Sequence, residues 1–300
     1  MSFLLYGAYG YTGRLIAEMA ADHGPVPILA GRNGDKVSTM ADQYGWKKRI
    51  FALDDPATVA RALDGVDCVL HCAGPFAQTA APMVTACLET GTHYLDITGE
   101  IEVFEALAAR DAAAAEAGAM LLPGVGFDVV PTDCLAAHLA AQVPDASQLE
   151  VAFMGLGRVS RGTIKTAIQQ MGTGGLVRRE GEVVTVPPGW TTRSVDFGDH
   201  PRTVVSIPWG DVATAYRSTG IPNITTYTYL PETARTLLRL SRYLSWLLSW
   251  EPLQKLLAAF VDRQPAGPTP EEREEGETHV WDSVRNDAGD RETGRLHGPE

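Results

Sequence analysis

The sequence predicts an α/β protein in which a doubly wound parallel sheet is followed by a second, α+β domain with a mostly antiparallel sheet. Three observations support this fold class. A glycine-rich turn follows the first apolar run and precedes a helical segment. Apolar runs then alternate with helical segments as far as residue 122. Beyond residue 148, strand-like runs follow one another with few helices between them, which is typical of an antiparallel sheet.

The glycine-rich turn is the strongest local signal. Gly7, Gly10 and Gly13 have the spacing G-x-x-G-x-x-G between a strand at 2–6 and a helix at 14–21. Such glycines allow a tight turn, a close approach of backbone to phosphate and close packing of the helix on the sheet. An ordinary tight turn is the alternative, but the flanking strand and helix favour a Rossmann-type dinucleotide site. The residues expected to hold the pyrophosphate are Gly7, Ala8, Tyr9, Gly10, Tyr11, Thr12 and Gly13.

The second strand, at 26–30, ends at a position that distinguishes NADP from NAD. An acid is usual here in proteins that bind the ribose hydroxyls of NAD, but this chain has Gly31-Arg32-Asn33. The Arg32 guanidinium can pair with a 2′-phosphate, and Asn33 can add a donor. A solvated loop arginine is the alternative interpretation. The sequence therefore predicts NADP(H) as the cofactor.

The remaining elements of the first domain, 1–145, continue the alternation. The predicted helices lie at 35–44, 56–63, 80–90 and 101–117, and the predicted strands lie at 49–53, 67–73, 93–97 and 119–122. Ligands of such sheets bind beyond the carboxyl ends of the strands. Those ends place Asp54, the turn 74–76, residues 98–100 and residues 124–128 near the cofactor or substrate.

The second domain, 146–300, has a different pattern. The predicted strands lie at 149–154, 183–186, 202–207, 211–216 and 224–230, with a helix at 163–171 and a hairpin at 280–296. Residues 265–277 are rich in glutamate and proline, which predicts an exposed acidic loop.

Composition limits the classes of function. The chain has 300 residues and a net charge of −12, which argues against nucleic-acid binding. No basic region precedes the first strand, so we expect no secretory or transit peptide. The four cysteines form no C-x-x-C pair, and the histidines have no ligand spacing. We therefore expect reduced, buried cysteines, no metal site and a cytoplasmic location.

Six motifs together resemble the saccharopine dehydrogenase-like oxidoreductases, in particular the short branch that includes trans-acting enoyl reductases. The motifs are GYTGR at 10–14, AGRN at 30–33, AGPF at 73–76, YLDITGE at 94–100, GFDVVPTD at 126–133 and SRGT at 160–163. The resemblance implies an NADP-binding first domain and a second domain for substrate binding and dimerisation. It adds Ala73, Gly74, Pro75 and Phe76 to the cofactor site. It implies substrate contacts for Phe127, Ser160, Gly162 and Thr163.

The carboxyl terminus departs from the family pattern. Related chains continue past the final hairpin with a strand and a helix that return to the first domain, whereas this sequence stops at Glu300. We therefore expect that return helix to be absent, as in a truncated form.

Three residues are candidates for a proton donor. Glu100, Asp128 and Tyr94 lie at or beside strand ends, and a carboxyl group in an apolar pocket can serve as an acid. Capping is the alternative role for Glu100 and the favoured one for Asp128. The catalytic residue is left open.

Residues 232–260 predict an amphipathic helix or helix pair. Leucines and Tyr243 form one stripe, arginines and serines form another, and two tryptophans flank the boundary. A helix that covers the second sheet is the favoured interpretation. A surface for a membrane or an apolar substrate is the alternative.

These observations favour an NADPH-dependent reductase of an unsaturated acyl (enoyl) or other apolar substrate. An amino-acid imine reductase is the alternative enzyme, for which Arg158, Arg161, Arg178, Arg179 and Arg193 would bind substrate carboxylates. A dinucleotide-binding sensor or lipid-surface scaffold without turnover is the alternative from another class. A homodimer and peripheral membrane contact are further expectations.

Overall fold

The protein is described by a computed structural model. The structure describes residues 2–155, 160–169, 172, 174–261 and 263–299. The chain divides into two compact units, Met1–Phe127 and Asp128–Glu300.

The first unit is built on a six-stranded parallel sheet. Its strands are β1 (Phe3–Tyr6), β2 (Ile28–Gly31), β3 (Lys48–Ile50), β4 (Cys68–His71), β5 (His93–Asp96) and β6 (Leu121–Leu122). Their order is β3-β2-β1-β4-β5-β6, and every neighbouring pair is parallel. This order is that of a doubly wound dinucleotide-binding fold, with the chain reversing direction of winding between β1 and β4. The predicted fold class of the first domain is confirmed.

Helices connect these strands. They are α1 (Tyr11–His23), α2 (Gly34–Tyr44), α3 (Pro56–Ala62), α4 (Phe76–Thr90), α5 (Ile101–Ala108) and α6 (Asp111–Ala117). Asp55 caps α3 as its sequence position suggests, because its carboxylate accepts from Thr58 N (3.2 Å) and Pro56 follows it. The prediction of a single helix at 101–117 is wrong, because two helices, α5 and α6, occupy this segment. Arg110 leaves the helical conformation (φ −99°, ψ 10°), and its guanidinium donates to the Thr85 hydroxyl of α4 (3.0 Å).

The core of the first unit lies between the sheet and these helices. Leu4, Val69, Met83 and Tyr94 are fully buried there. Each buried side chain of this size contributes roughly 1.5–3 kcal/mol to folding. The inner strands β1, β2, β4 and β5 are largely buried, and ligands of such sheets bind beyond the carboxyl ends of the strands.

The second unit is built on a mixed, mostly antiparallel sheet, as predicted. Its strands are β7 (Ala146–Gly155), β8 (Gly175–Arg179), β9 (Glu182–Val186), β10 (Thr192–Asp196), β11 (Pro201–Ser206), β12 (Asn223–Tyr229), β13 (Glu277–Asn286) and β14 (Arg291–Pro299). The main order is β10-β11-β12-β7-β13-β14, and β8 pairs with both β12 and β9. The β12–β7 pair is parallel, and the other pairs are antiparallel. β8 and β10 were not predicted as strands.

Several helices of this unit pack on its strands, α7 and α9 most extensively. They are α7 (Val130–Ala140), α8 (Arg161–Gln169), α9 (Asp211–Thr219), α10 (Glu232–Leu240), α11 (Ser245–Leu248), α12 (Glu251–Val261) and α13 (Pro270–Glu275), with a 3₁₀ turn at Ser241–Leu244. None of the helices within the described ranges is long and apolar enough to cross a membrane.

Two sequence predictions fail in the second unit. The strand predicted at 211–216 is the helix α9, whose buried positions Val212, Ala213 and Ala215 follow helical spacing and whose end is closed by Gly220 at φ +73°. The predicted acidic loop contains α13. There, Thr269 and Glu272 form a reciprocal capping box and Pro270 occupies the first helical turn.

The helix α7 belongs to the second unit. The sequence assigns residues 130–140 to the first domain, which was predicted to extend to residue 145. In the structure α7 packs on β13 and α9, and Leu135, Ala136 and Leu139 join the buried cluster that contains Val280 and Val284. The division between the units therefore falls at Phe127–Asp128.

Candidate functional site

The glycine turn at the end of β1 is tightly enclosed. Gly7 has φ +83°, and a Cβ there would lie 2.9 Å from the carbonyl carbon of Cys72. At Gly13 a Cβ would lie 2.8 Å from the Ala8 carbonyl oxygen and nearer still to that of Gly7. Backbone atoms cannot yield as flexible side chains do, so the turn requires glycine at both positions.

Hydrogen bonds hold this turn against the end of β2. The N–H groups of Gly7 and Ala8 donate to the Ala30 carbonyl (2.9 and 3.2 Å), and Gly10 N donates to the Gly7 carbonyl (2.9 Å). The helix α1 begins directly after Gly10, which supplies no capping side chain, and its first turn has no acid. The amino terminus of α1 therefore carries the positive end of the helix dipole, which suits a phosphate.

Basic side chains gather where β2 ends. Arg32 is exposed there, and Asn33 caps α2 by accepting a hydrogen bond from Lys36 N (3.0 Å). The Lys36 ammonium lies 5.6 Å from the centre of the Tyr9 ring, and that ring covers Gly31 so closely that a Cβ there would be 2.7 Å from it. Sequence reasoning missed Lys36, although its position one turn into α2 was the available signal. Asn33 has a structural role beyond the one predicted for it.

Asp54 and Tyr6 lie around the same edge of the sheet. The Tyr6 hydroxyl donates to the Phe51 carbonyl (3.2 Å). Burial raises the pKa of Tyr6 to about 12, with Tyr9 and Asp54 adding to the shift and Arg32 opposing it. Arg32 and Asp54 both act on Tyr6, and the Asp54 side chain is exposed.

The turn Ala73–Phe76 connects β4 to α4 through a cis Gly74–Pro75 bond. The Thr79 hydroxyl fastens it by donating to the carbonyls of Ala73 (2.8 Å) and Pro75 (3.1 Å). The His71 ring lies behind the turn, with Nε2 3.2 Å from the Ala73 carbonyl and 3.1 Å from the Thr79 hydroxyl. Burial lowers the pKa of His71 to about 4, so this imidazole is neutral and structural at physiological pH.

Glu100 binds the start of α4. Its two carboxylate oxygens accept from Phe76 N (3.0 Å) and Ala77 N (2.7 Å), and the side chain is 6% exposed. The residue also occupies the N-cap position of α5, but its side chain makes no capping bond there. A carboxylate at a helix amino terminus is stabilised by the N–H groups and the dipole. Both oxygens are therefore engaged in holding the Ala73–Phe76 turn.

Tyr94 and Asp96 form a buried pair below the sheet edge. The Tyr94 hydroxyl donates to Asp96 (2.7 Å), and the same carboxylate accepts from Thr98 N (3.0 Å) and Gly124 N (2.9 Å). Burial raises the pKa of Asp96 and raises that of Tyr94 well above 10.0. The pair holds the chain segments after β5 and β6. Tyr94 is fully buried, whereas Phe127 is about half exposed.

The other sequence-derived site residues lie at the start of the second unit or near α8. Asp128 is partly buried, its carbonyl accepts from Trp209 Nε1 (2.6 Å), and burial raises the pKa of its carboxyl to about 6. Ser160 and Gly162 lie at the start of α8, where the Ser160 carbonyl accepts from Ile164 N (3.1 Å). The side chain of Thr163 lies outside the described part of the chain.

A cluster of buried carboxyl groups within the second unit was not predicted. Asp211 at the start of α9 and Asp282 on β13 are both fully buried. Within the described part of the chain, the carboxyl oxygens of both residues lack a hydrogen-bond partner. Burial raises the pKa of Asp211 to about 8, and the nearby Asp133 and Asp128 add to the shift. Thr132 offsets part of the shift. The Thr132 hydroxyl itself donates to the Val129 carbonyl (3.0 Å). Burial, with Asp211 and Asp133, also raises the pKa of Asp282 well above 3.8.

The Asp211 carboxyl is therefore protonated in the folded protein at neutral pH, because burial disfavours the charged form. Among the described residues, no group of three or more acids, histidines and cysteines is arranged to hold a metal ion. The four cysteines are free, and Cys68 and Cys87 are buried, whereas Cys72 is partly buried and Cys134 is exposed, so the prediction of buried cysteines is wrong at Cys134 and only partly met at Cys72.

The arginines considered for substrate carboxylates are largely engaged elsewhere. Arg178 is 3% exposed and donates from Nε to the Val212 carbonyl (2.8 Å). Arg193 pairs with Glu150, and the Arg179 guanidinium lies 4.6 Å from the centre of the Trp190 ring. Arg161 has an interaction of its own, and Arg158 lies outside the described residues.

Comparison with known families identifies the first unit. Residues 3–122 match the family model described as the saccharopine dehydrogenase NADP-binding domain. The chain is also similar to curated proteins. A trans-acting enoyl reductase of Mycobacterium ulcerans is 28% identical over 189 residues, covering 60% of this chain and 44% of that protein. A trans-acting enoyl reductase of Mycobacterium leprae is 33% identical over 138 residues, covering 43% and 33%.

A saccharopine dehydrogenase-like oxidoreductase of Mus musculus is 26% identical over 211 residues, covering 62% of this chain and 49% of that protein. The chain therefore spans less than half the length of these curated relatives. Among solved structures, the apo saccharopine dehydrogenase (L-Glu forming) of Saccharomyces cerevisiae has a TM-score of 0.62 at 12% identity, covering 100% of this chain and 85% of that one. That likeness concerns the fold alone.

Proposed function

Because residues 3–122 form an NADP-binding domain of the saccharopine dehydrogenase type, we propose that this chain is an NADPH-dependent oxidoreductase. The observation that carries the proposal is the enclosed Gly7–Gly13 turn at the start of α1, with the basic pair Arg32 and Lys36 at the end of β2. The turn suits a pyrophosphate and the basic pair suits a 2′-phosphate, as NADPH requires.

The proposed site assigns a role to each strand end. The backbone of the glycine turn binds the pyrophosphate, Arg32 and Lys36 bind the 2′-phosphate, and Asp54 borders the adenosine side. The rigid Ala73–Phe76 turn, held by Glu100 and Thr79, lies along the nicotinamide half. When bound, NADPH supplies the hydride, and the protein supplies orientation.

Asp128 is the proposed proton donor among the three candidates. Glu100 uses both oxygens on backbone N–H groups, and Tyr94 is fully buried with its hydroxyl on Asp96. The pKa of Asp128, raised to about 6 by burial, keeps a fraction of this carboxyl protonated near neutral pH, as a general acid needs.

An unsaturated acyl (enoyl) compound is the substrate that we favour. The enoyl reductases are among the similar proteins, and the engagement of Arg178, Arg179 and Arg193 leaves an amino-acid imine with fewer side chains to bind its carboxylates. Phe127, Ser160, Gly162 and Thr163 are the proposed substrate contacts. A cytoplasmic location and homodimerisation through the second unit complete the proposal.

The test is NADPH oxidation, followed by absorbance, against a panel of enoyl thioesters and cyclic or amino-acid imines. Turnover of the enoyl thioesters supports the proposal, and turnover of imines alone would replace it by the imine reductase. NADPH binding without turnover of any panel member would instead indicate a dinucleotide-binding sensor.

A further inference from the structure

The segment 237–260 concentrates the exposed apolar surface of the protein. Of the seventeen large apolar side chains that are exposed in the described residues, eight lie within it. They are Leu237, Leu240, Tyr243, Leu244, Trp246, Trp250, Leu256 and Phe260, with exposed fractions from 48% to 72%. Exposed apolar side chains concentrated in one segment are typical of a surface that meets another apolar phase.

This surface is not left over from loose packing. The helix α10 has no buried residue, yet it is fastened to the sheet by the Arg235 guanidinium, which donates to the carbonyls of Thr203 (2.9 Å) and Leu230 (3.2 Å). Leu238 turns inward to the loop at Gly189, where a Cβ would lie 3.5 Å from it. The helix thus has a fixed inner side, and the apolar residues named above remain outside it.

A cationic cleft lies beside these residues. Pro187, Pro188, Gly189, Trp190, Thr191, Thr192, Arg239 and Arg242 line a cleft of about 340 Å³, and its lining contains no acid. Arg239 makes one long bond to the Thr192 hydroxyl (3.4 Å), and Arg242 donates to the Tyr243 hydroxyl (2.5 Å). Neither guanidinium has a carboxylate partner among the described residues.

The two arginines are notable in a chain whose net charge is −12. Uncompensated guanidinium groups attract an anion, and their planar donors bind phosphate oxygens in pairs. Trp190, which is 41% exposed, lines the cleft, and the guanidinium of Arg179 lies over its ring. Tryptophan with an apolar body and a polar N–H is typical of the boundary between lipid and water.

We propose that the surface formed by 187–192 and 237–260 docks on a membrane that carries anionic phosphate headgroups. The cleft of Arg239 and Arg242 receives one headgroup, while Leu237, Trp246 and their exposed neighbours enter the boundary between headgroups and acyl chains. The charge of the cleft selects an anionic bilayer over a neutral one. This inference concerns a surface of the second unit and does not depend on the proposed enzymatic function.

The experiment is flotation with vesicles of phosphatidylcholine alone and of phosphatidylcholine mixed with phosphatidylglycerol. We expect binding to the mixed vesicles, weak binding to the neutral ones and loss of binding at high salt. Each arginine at an anionic surface contributes about fivefold, so Arg239→Ala with Arg242→Ala should weaken binding roughly 25-fold. Arg217→Ala, at an exposed position of α9, is the matched control and should change little.

A second pair of variants tests the apolar contact. Leu237→Ser with Trp246→Ser should reduce binding to both vesicle types, whereas Leu296→Ser, on β14 at 42% exposure, should not. Absence of binding to mixed vesicles, or equal binding by the double arginine variant, overturns the proposal. Sedimentation equilibrium decides the rival occupant. A wild-type dimer that Trp246→Ser dissociates, without vesicle binding, would assign the surface to a second copy of the chain.

Discussion

The variant Asp211→Asn removes a fully buried carboxyl of the second unit, whose pKa is raised by its burial. Burial holds that pKa at about 8 in the folded protein, against 3.8 in the unfolded chain. Between these values the folded state keeps a proton that the unfolded state has released. Stability from this group is therefore fully present below pH 3.8, falls as the pH rises, and is lost by about pH 8.

The magnitude follows from the size of the shift. Within that interval the free energy of unfolding decreases by about 1.4 kcal/mol per pH unit for one such group. Between pH 5 and pH 7 the wild type should therefore lose about 3 kcal/mol that Asp211→Asn does not lose. Asp282, whose pKa is also raised, leaves a smaller pH dependence in the variant.

Urea unfolding at several pH values, followed by tryptophan fluorescence, measures the effect. Five of the six tryptophans lie in the second unit, so the signal reports mainly on that unit. The control is Asp145→Asn, at an exposed position with φ +54° that asparagine tolerates. Parallel stability profiles for wild type and Asp211→Asn between pH 5 and pH 7 would refute the reasoning.

Three further substitutions test the proposed site. Gly13→Ala places a Cβ against the carbonyls of Gly7 and Ala8, so NADPH affinity, measured by fluorescence titration, should fall at least about tenfold. The control Gly34→Ala, whose Cβ meets nothing nearer than 3.6 Å, should bind NADPH normally. Unchanged binding by Gly13→Ala would contradict the proposal that this turn binds the pyrophosphate. Glu100→Gln removes the charge at the start of α4 and should cost roughly 1–2 kcal/mol in thermal unfolding. A stable but inactive Glu100→Gln would instead indicate a proton donor. Asp128→Asn should lower turnover and leave the residual turnover without the decline above about pH 6, and unchanged turnover with an unchanged pH profile would remove Asp128 from the mechanism.

Much of the first unit could be predicted because its signals are local. The glycine spacing, the apolar runs and the position of Arg32 are each visible within a few residues, and the strand order follows from known rules of winding. The helix at 101–117 failed at Arg110, whose bond to Thr85 connects two helices and has no signal in the local sequence.

The second unit shows the limit of local signals more clearly. Residues 211–216 contain valine, threonine and tyrosine, which favour strands, but the burial of Ala213 and Ala215 against the sheet selects a helix. The buried Asp211 and Asp282 come together from α9 and β13, far apart in sequence. No periodicity within either segment could have predicted their proximity.

The candidate site was predictable in its backbone and less so in its side chains. The glycine turn and the Ala73–Phe76 turn stand where the sequence placed them. Glu100 was weighed as an acid or as a cap of the helix that follows it, whereas its carboxylate caps α4 instead. That bond joins residues 23 and 24 positions apart, and only the packing of α4 against the end of β5 creates it.

The central claim is that the basic residues at the end of β2 select NADPH, and the affinity of the protein for NADPH and NADH tests it most directly. The wild type should bind NADPH more tightly, and Arg32→Ala should weaken NADPH binding about 10- to 100-fold while changing NADH binding little, because only NADPH carries the 2′-phosphate. An unchanged preference in Arg32→Ala, or tighter binding of NADH by the wild type, would contradict the account.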